Sequence, residues 1–150
     1  MWFTILAFSA GAAIAVQASM NAQLGSLLKS PILATVCAFI FSAVYALAAF
    51  GITGGRFPNQ QLVSSVPWYL WGLGGILSAT GVGLCYFLIP KMGVGNLMSL
   101  VLSGQLLMAM AIAHFGWFDV PQTSISVQKM VGVSAMVLGL MLVSRDFSGS

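Results

Sequence analysis

The chain has 150 residues, of which 59% are hydrophobic and 5% are charged, and its mean hydropathy is +1.02. A soluble globular domain carries charge on roughly 25% of its residues. This composition cannot cover a protein in water, so it predicts an integral membrane protein. The five basic residues are spread singly along the sequence, which excludes the clustered basic patch of a nucleic-acid-binding protein.

Five apolar segments are long enough to be membrane helices, since a crossing needs about 20 apolar residues. Lys29-Ser30-Pro31 separates the first two, and Pro90 ends the third because proline interrupts a helix. The predicted helices cover residues 2–28, 32–52, 67–89, 93–115 and 127–143. We therefore predict an all-α integral membrane protein, with residues 1–150 forming a single five-helix domain.

The first helix carries two amide side chains, Gln17 and Asn21. A spacing of four residues places them on one face of the helix. Amides offer hydrogen-bond donors and acceptors, and polar side chains inside a membrane are usually functional or join helices. Both interpretations remain open: a pair that contacts solute, or an interhelical lock.

The third helix is rich in small residues, among them Gly75, Ala79 and Gly83 at intervals of four. Such a ridge lets two helix backbones approach closely. We predict that it packs against another helix, and the alternative is a flexible element that rocks during transport.

The fourth helix carries a polar stripe. Asn96, Ser99 and Ser103 fall close to one face at about 100° per residue, whereas Gln105 lies on nearly the opposite face. In one interpretation, the stripe lines a cavity and Gln105 bonds to a neighbouring helix. In the other, Gln105 lines the cavity and the stripe bonds to a neighbouring helix. These four side chains join Gln17 and Asn21 as candidate substrate-binding residues.

Several kinds of site are excluded. Asp119 and Asp146 are the acidic residues, and both lie outside the predicted helices. The sequence therefore predicts neither catalytic carboxylates nor a metal centre, and Cys37 and Cys85 fit no zinc spacing. No phosphate-binding GxxxxGK[ST] loop occurs. We expect a protein that is not an enzyme and has no cofactor. By elimination, its solute is neutral, zwitterionic or weakly cationic.

Five crossings would place the two termini on opposite sides of the membrane. Arg56 and Lys129 would then face one side, and Lys29, Lys91 and Arg145 the other. Two against three is a weak bias under the positive-inside rule, and it slightly favours an external N-terminus. Near balance permits insertion in both orientations. Two inverted copies would rebuild a ten-helix transporter with a site at its midplane.

Several short motifs carry a family resemblance across nearly the whole chain. They are Gln17-x3-Asn21-x2-Leu24-Gly25, Pro67-Trp68-Tyr69-x2-Gly72, Ile89-Pro90-Lys91-Met92-Gly93, Gly104-Gln105-Leu106 and His114-Phe115-Gly116. Together they resemble the YdcZ-like family of the drug/metabolite transporter superfamily. The resemblance implies a multi-pass protein of the bacterial inner membrane, a five-helix unit that pairs with an inverted copy, and transport of a small solute. The alternative is a non-transporting membrane scaffold or an accessory subunit of another complex.

Overall fold

The computed structural model describes residues 1–146, and the side chains of residues 1–142. This part of the chain is helical, with a short 3₁₀ turn at Trp117–Asp119. The α-helices are α1 (Trp2–Leu27), α2 (Pro31–Ile52), α3 (Gln60–Ser65), α4 (Trp68–Met92), α5 (Val94–Phe115) and α6 (Val127–Asp146).

Four of the described helices, α1, α2, α4 and α5, are long and apolar enough to cross a membrane. The apolar part of α6, Val127–Leu142, is shorter. The structure is therefore an all-helical protein with four candidate membrane spans among the described residues, and a fifth crossing by α6 stays a prediction.

The turn between α1 and α2 is built by local chemistry. The Ser30 hydroxyl accepts a hydrogen bond from the Leu33 backbone N–H at 3.2 Å, and Pro31 occupies the first helical position. Lys29 has a φ of 52°, the left-handed conformation that commonly ends a helix. The Ser30 N–H then donates to the Gly25 carbonyl at 2.9 Å. These bonds let α1 and α2 follow each other closely.

Helix α4 ends at Met92, three residues beyond the predicted end at Ile89. Pro90 has no N–H to offer the Tyr86 carbonyl, but this costs little in the last turn, where few helical bonds remain to be made. The Lys91 ammonium lies 3.6 Å from the centroid of the Phe87 ring, a cation–π contact within that turn. Gly93, at φ 78° and ψ 155°, is the one residue between α4 and α5.

The polar segments, which the sequence predicts to be loops, also contain regular structure. Asn59 caps α3 by accepting the Leu62 N–H at 3.0 Å. Beyond α5, the Thr123 N–H donates to the Ala113 carbonyl at 2.8 Å, and the Gln122 amide donates to the His114 carbonyl at 2.9 Å. These bonds occupy carbonyls that a helix end would otherwise leave open.

The chain divides into two compact units, Met1–Lys91 and a second that begins at Met92. In the second unit, α5 packs along α6 and the 3₁₀ turn packs against α5. In the first, α1 packs along α2, and the buried residues gather where α1 ends, α2 begins and α4 ends. They are Ala18, Ala22, Gly25, Ala34, Thr35, Tyr86 and Ile89.

Small side chains allow the close approach in the first unit. A Cβ atom on Gly25 would lie 3.3 Å from the Pro31 Cα, and one on Gly83 would lie 3.3 Å from the Thr35 hydroxyl oxygen. Glycine at these positions therefore lets the α1 backbone lie against the backbone of α2 at Pro31, and the α4 backbone lie against the Thr35 side chain. This is how membrane helices gain packing energy without a hydrophobic driving force between them.

Candidate solute site

The most developed polar cluster in the first unit joins α1 to α4. The side-chain amides of Gln17 and Asn21 both donate to the Tyr86 hydroxyl, at 2.8 Å and 3.0 Å. Tyr86 is almost completely buried, with 1% of its surface exposed. A buried phenol normally has a hydrogen-bond partner, and here it has two from one helix face.

The local sequence explains this convergence. Gln17 and Asn21 are one helical turn apart, and each is followed by a buried alanine, Ala18 or Ala22. These alanines take little room, so α4 can lie close enough for the Tyr86 hydroxyl to reach both amides. One turn earlier on α4, Gly83 lies against α2. The cluster is thus positioned by small residues on neighbouring helices.

The cluster keeps unused hydrogen-bonding capacity. The Gln17 and Asn21 amide oxygens have no partner among the described residues. Rotating either amide by 180° would let the Tyr86 hydroxyl donate to its oxygen and would free that amide's N–H groups instead. In either arrangement, the cluster offers a ligand both donors and acceptors.

Exposure and charge also distinguish the cluster. Gln17 is exposed and Asn21 is half-buried, whereas Tyr86 is buried. The amides therefore lie at the surface of the unit and the phenol lies behind them. Helices α1 and α2 contain no charged residue, and α4 contains one, Lys91, in its last turn. The cluster is a neutral polar site within membrane-spanning helices.

The α5 candidates lie in the second unit. Ser99 is buried and its hydroxyl donates to the Gly95 carbonyl at 2.9 Å, while Ser103 donates to the Ser99 carbonyl at 2.9 Å. Both hydroxyls thus donate within their own helix. Asn96 is half-buried and Gln105 is exposed, and neither amide has a hydrogen-bond partner among the described residues. Their part in a common site with Gln17 and Asn21 stays a prediction.

The members of the small-residue ridge of α4 differ in how closely other residues approach them. Gly83 lies against Thr35, Ala79 is half-buried, and a Cβ on Gly75 would meet no atom within 4 Å. The predicted packing role of the whole ridge therefore stays a prediction, with Gly83 as the member that has a described neighbour.

Tyr86 is the site residue that the sequence analysis did not select. It is one of three tyrosines in the chain and lies within an apolar helix, four residues before Pro90. A phenol in such a place needs a polar partner, because an unsatisfied polar group in hydrocarbon is expensive. That requirement, combined with the two amides on α1, was the signal available in the sequence.

No group of three or more histidine, cysteine, aspartate or glutamate side chains among the described residues could hold a metal ion. Cys37 and Cys85 are free thiols and both are half-buried. What the first unit does offer is hydrogen bonding by uncharged groups.

Long apolar helices and a neutral polar cluster between them define a multi-pass helical membrane protein. The family model described as "Putative inner membrane exporter, YdcZ" matches residues 2–142, and the chain belongs to this family. This confirms the resemblance found in the sequence and supports an inner-membrane transporter, which is not a class of enzyme. No match to the chain is found among the curated proteins or among the solved structures.

Proposed function

We propose that the chain is one subunit of a small-solute exporter in the inner membrane, with the cluster of Gln17, Asn21 and Tyr86 as part of its solute site. The observation that carries this proposal is the pair of hydrogen bonds from two surface amides to one buried phenol. The exporter description of the family supports transport as the activity.

The composition of the cluster favours solute binding over a purely structural lock. A lock would be complete once its donors and acceptors were paired, whereas both amide oxygens here are open. An open acceptor in a membrane is costly unless water or a solute meets it. The cluster therefore suits a site that binds a polar, uncharged group and releases it again.

The functional unit that we propose is an antiparallel homodimer with a polar cleft between the copies. The apolar part of helix α6, Val127–Leu142, is about 24 Å long, and a locally thinned bilayer would let it form the fifth crossing. An odd number of crossings and a near-balanced loop charge suit an inverted pair. Asn96, Ser99, Ser103 and Gln105 would contribute to the cleft from α5.

A scaffold or accessory subunit is the second candidate. The observation in its favour is that the Tyr86 hydroxyl accepts from both amides, as a stabilising lock between α1 and α4 would. In that case, the cluster would matter for folding and for nothing else.

A solute screen with matched variants separates the two functions. A bound ligand stabilises the folded state, so the purified protein would be melted with neutral amides, zwitterionic amino acids and primary amines. The variants are Gln17→Ala and Asn21→Ala, and the control is Gln23→Ala on the same helix, whose side chain is exposed and has no described partner. We expect a solute that stabilises the wild type and Gln23→Ala but not the two site variants.

If both site variants folded normally and still bound and carried the same solute, the two amides would not be the solute site. The scaffold function would be supported if no solute stabilised the wild type and none was carried by it. The antiparallel dimer is tested separately by labelling single cysteines in the loops of whole cells. If each loop cysteine were labelled from only one side of the membrane, every copy would have the same orientation, and an antiparallel homodimer would be excluded. That result would not bear on the proposed solute site.

A further inference from the structure

The second unit contains a cation at the mouth of an apolar groove. Lys129 is the third residue of α6, and its ammonium donates to the Ser124 carbonyl at 3.3 Å. Its remaining N–H groups have no partner among the described residues. An ammonium has three donors, so Lys129 keeps donors for a ligand.

The position of this ammonium is set by the backbone around it. The Lys129 N–H donates to the Ser126 hydroxyl at 3.2 Å, which caps the start of α6. The preceding segment is tied to α5 by the bond from Thr123 to the Ala113 carbonyl. The charge is thus held where the loop meets the two helices.

Two apolar cavities lie along the packed pair α5 and α6, and because Lys129 and Met110 line both, they adjoin as the two parts of one groove. Its first part, of about 220 Å³, passes Ala109 and Ala113. Its second part, of about 350 Å³, passes Gly132 and Met136, and Met110 lines both parts. A Cβ on Gly132 would meet no atom within 4 Å, so the groove is open there.

The groove and the cation together fit one class of molecule. An apolar channel between membrane helices accommodates an acyl chain, and a lysine at its mouth attracts a negative headgroup. A small anion would leave the apolar groove unused, and a neutral lipid would leave the ammonium unused. We propose that this groove binds one anionic phospholipid, with the phosphate on Lys129 and an acyl chain along α5 and α6.

The neighbouring groups are consistent with this occupant. Thr123 and Ser124, which line the mouth, bring hydroxyls that can donate to phosphate oxygens. Asp119 is the other formally charged residue among the described side chains of the unit, and it forms no described bond to Lys129. Among the described side chains of this unit, no carboxylate therefore neutralises the ammonium.

The test compares phosphatidylglycerol with phosphatidylcholine, at equal mole fraction, in the thermal unfolding of the purified protein. We expect the wild type to melt several degrees higher in phosphatidylglycerol, and Lys129→Gln to lose that difference while Lys129→Arg keeps it. Gly132→Leu fills the groove and should also reduce the difference. Gly139→Leu, on the same helix with no atom near its Cβ, is the matched control.

Two outcomes would overturn the proposal. One is equal melting of the wild type in the two lipids, or an undiminished preference in Lys129→Gln. The other is that inorganic phosphate alone reproduces the phosphatidylglycerol shift and Gly132→Leu changes nothing, which would leave an anion site with no lipid groove. If Lys129→Gln does not fold, the contrast between Gly132→Leu and Gly139→Leu decides the question.

Discussion

The close approach of α1 to the start of α2 at Gly25 gives a sharp test of packing in the first unit. A methyl group on Gly25 would lie 3.3 Å from the Pro31 Cα and 3.4 Å from the Ala34 Cβ. The nearer of these atoms is backbone, so it cannot rotate away, and α1 and α2 must separate by a few tenths of an ångström. Gly11 lies on the same helix, and a Cβ there would meet no atom within 4 Å.

Helix propensity and overpacking change the free energy of unfolding in opposite directions. Replacing glycine by alanine within a helix is favourable by about 0.5–1 kcal/mol, and this is the whole effect expected for Gly11→Ala. Overpacking a close contact costs about 1–3 kcal/mol. Together the two contributions should lower the free energy of unfolding of Gly25→Ala by about 1 kcal/mol, and by at most about 2.5 kcal/mol, although its helix propensity rises.

The assay is reversible unfolding of both variants in mixed micelles, followed by helical circular dichroism. We expect Gly11→Ala to be more stable than the wild type and Gly25→Ala to be less stable. If Gly25→Ala were as stable as Gly11→Ala, then α1 and α2 would not pack at this distance, and the account of the first unit's core would be refuted.

Three further substitutions test separate features. Tyr86→Phe removes two interhelical hydrogen bonds, each worth about 0.6 kcal/mol on average in a membrane, so its free energy of unfolding should fall by about 1 kcal/mol. The control is Tyr45→Phe, which changes an exposed tyrosine and should be as stable as the wild type. If the two variants were equally stable, the hydrogen bonds of the cluster would be refuted. Gly93→Ala should cost about 1–3 kcal/mol, because φ 78° with ψ 155° suits glycine alone, and a thermal melt without a downward shift would contradict that conformation. Lys29→Gly should stabilise the α1–α2 turn by about 1 kcal/mol by removing a left-handed lysine. It also leaves two positive charges on each side, so cysteine labelling should show the two orientations closer to equal, and an unchanged ratio would mean that loop charge does not set orientation.

Local rules predicted the features that depend on neighbouring residues. The Lys29-Ser30-Pro31 segment predicted the boundary between the first two helices, and helix α2 begins at Pro31, one residue before the predicted start. The one-face placement of Gln17 and Asn21 follows from the helical period. The continuation of α4 through Pro90 could not be predicted in this way, because it depends on how cheaply the last turn does without one hydrogen bond.

The partner of the amides was beyond local rules. Tyr86 lies 65 residues after Asn21 in the chain, and helical periodicity fixes no contact between separate helices. What brings them together is the absence of side-chain bulk at Ala18, Ala22 and Gly83, which lets three helices converge at one end. Patterns of small residues suggest such approaches, but they do not identify which polar groups will meet.

Solute binding by an uncharged amide–phenol cluster is the core of the proposed exporter function. Its most direct test is the flux of the solute selected by the stability screen, measured in proteoliposomes with equal amounts of folded protein. We predict that Tyr86→Phe lowers the rate about tenfold, which corresponds to about 1.4 kcal/mol, and that Tyr45→Phe carries the solute at the wild-type rate. Wild-type flux in Tyr86→Phe, Gln17→Ala and Asn21→Ala would contradict the claim and leave the cluster a structural lock.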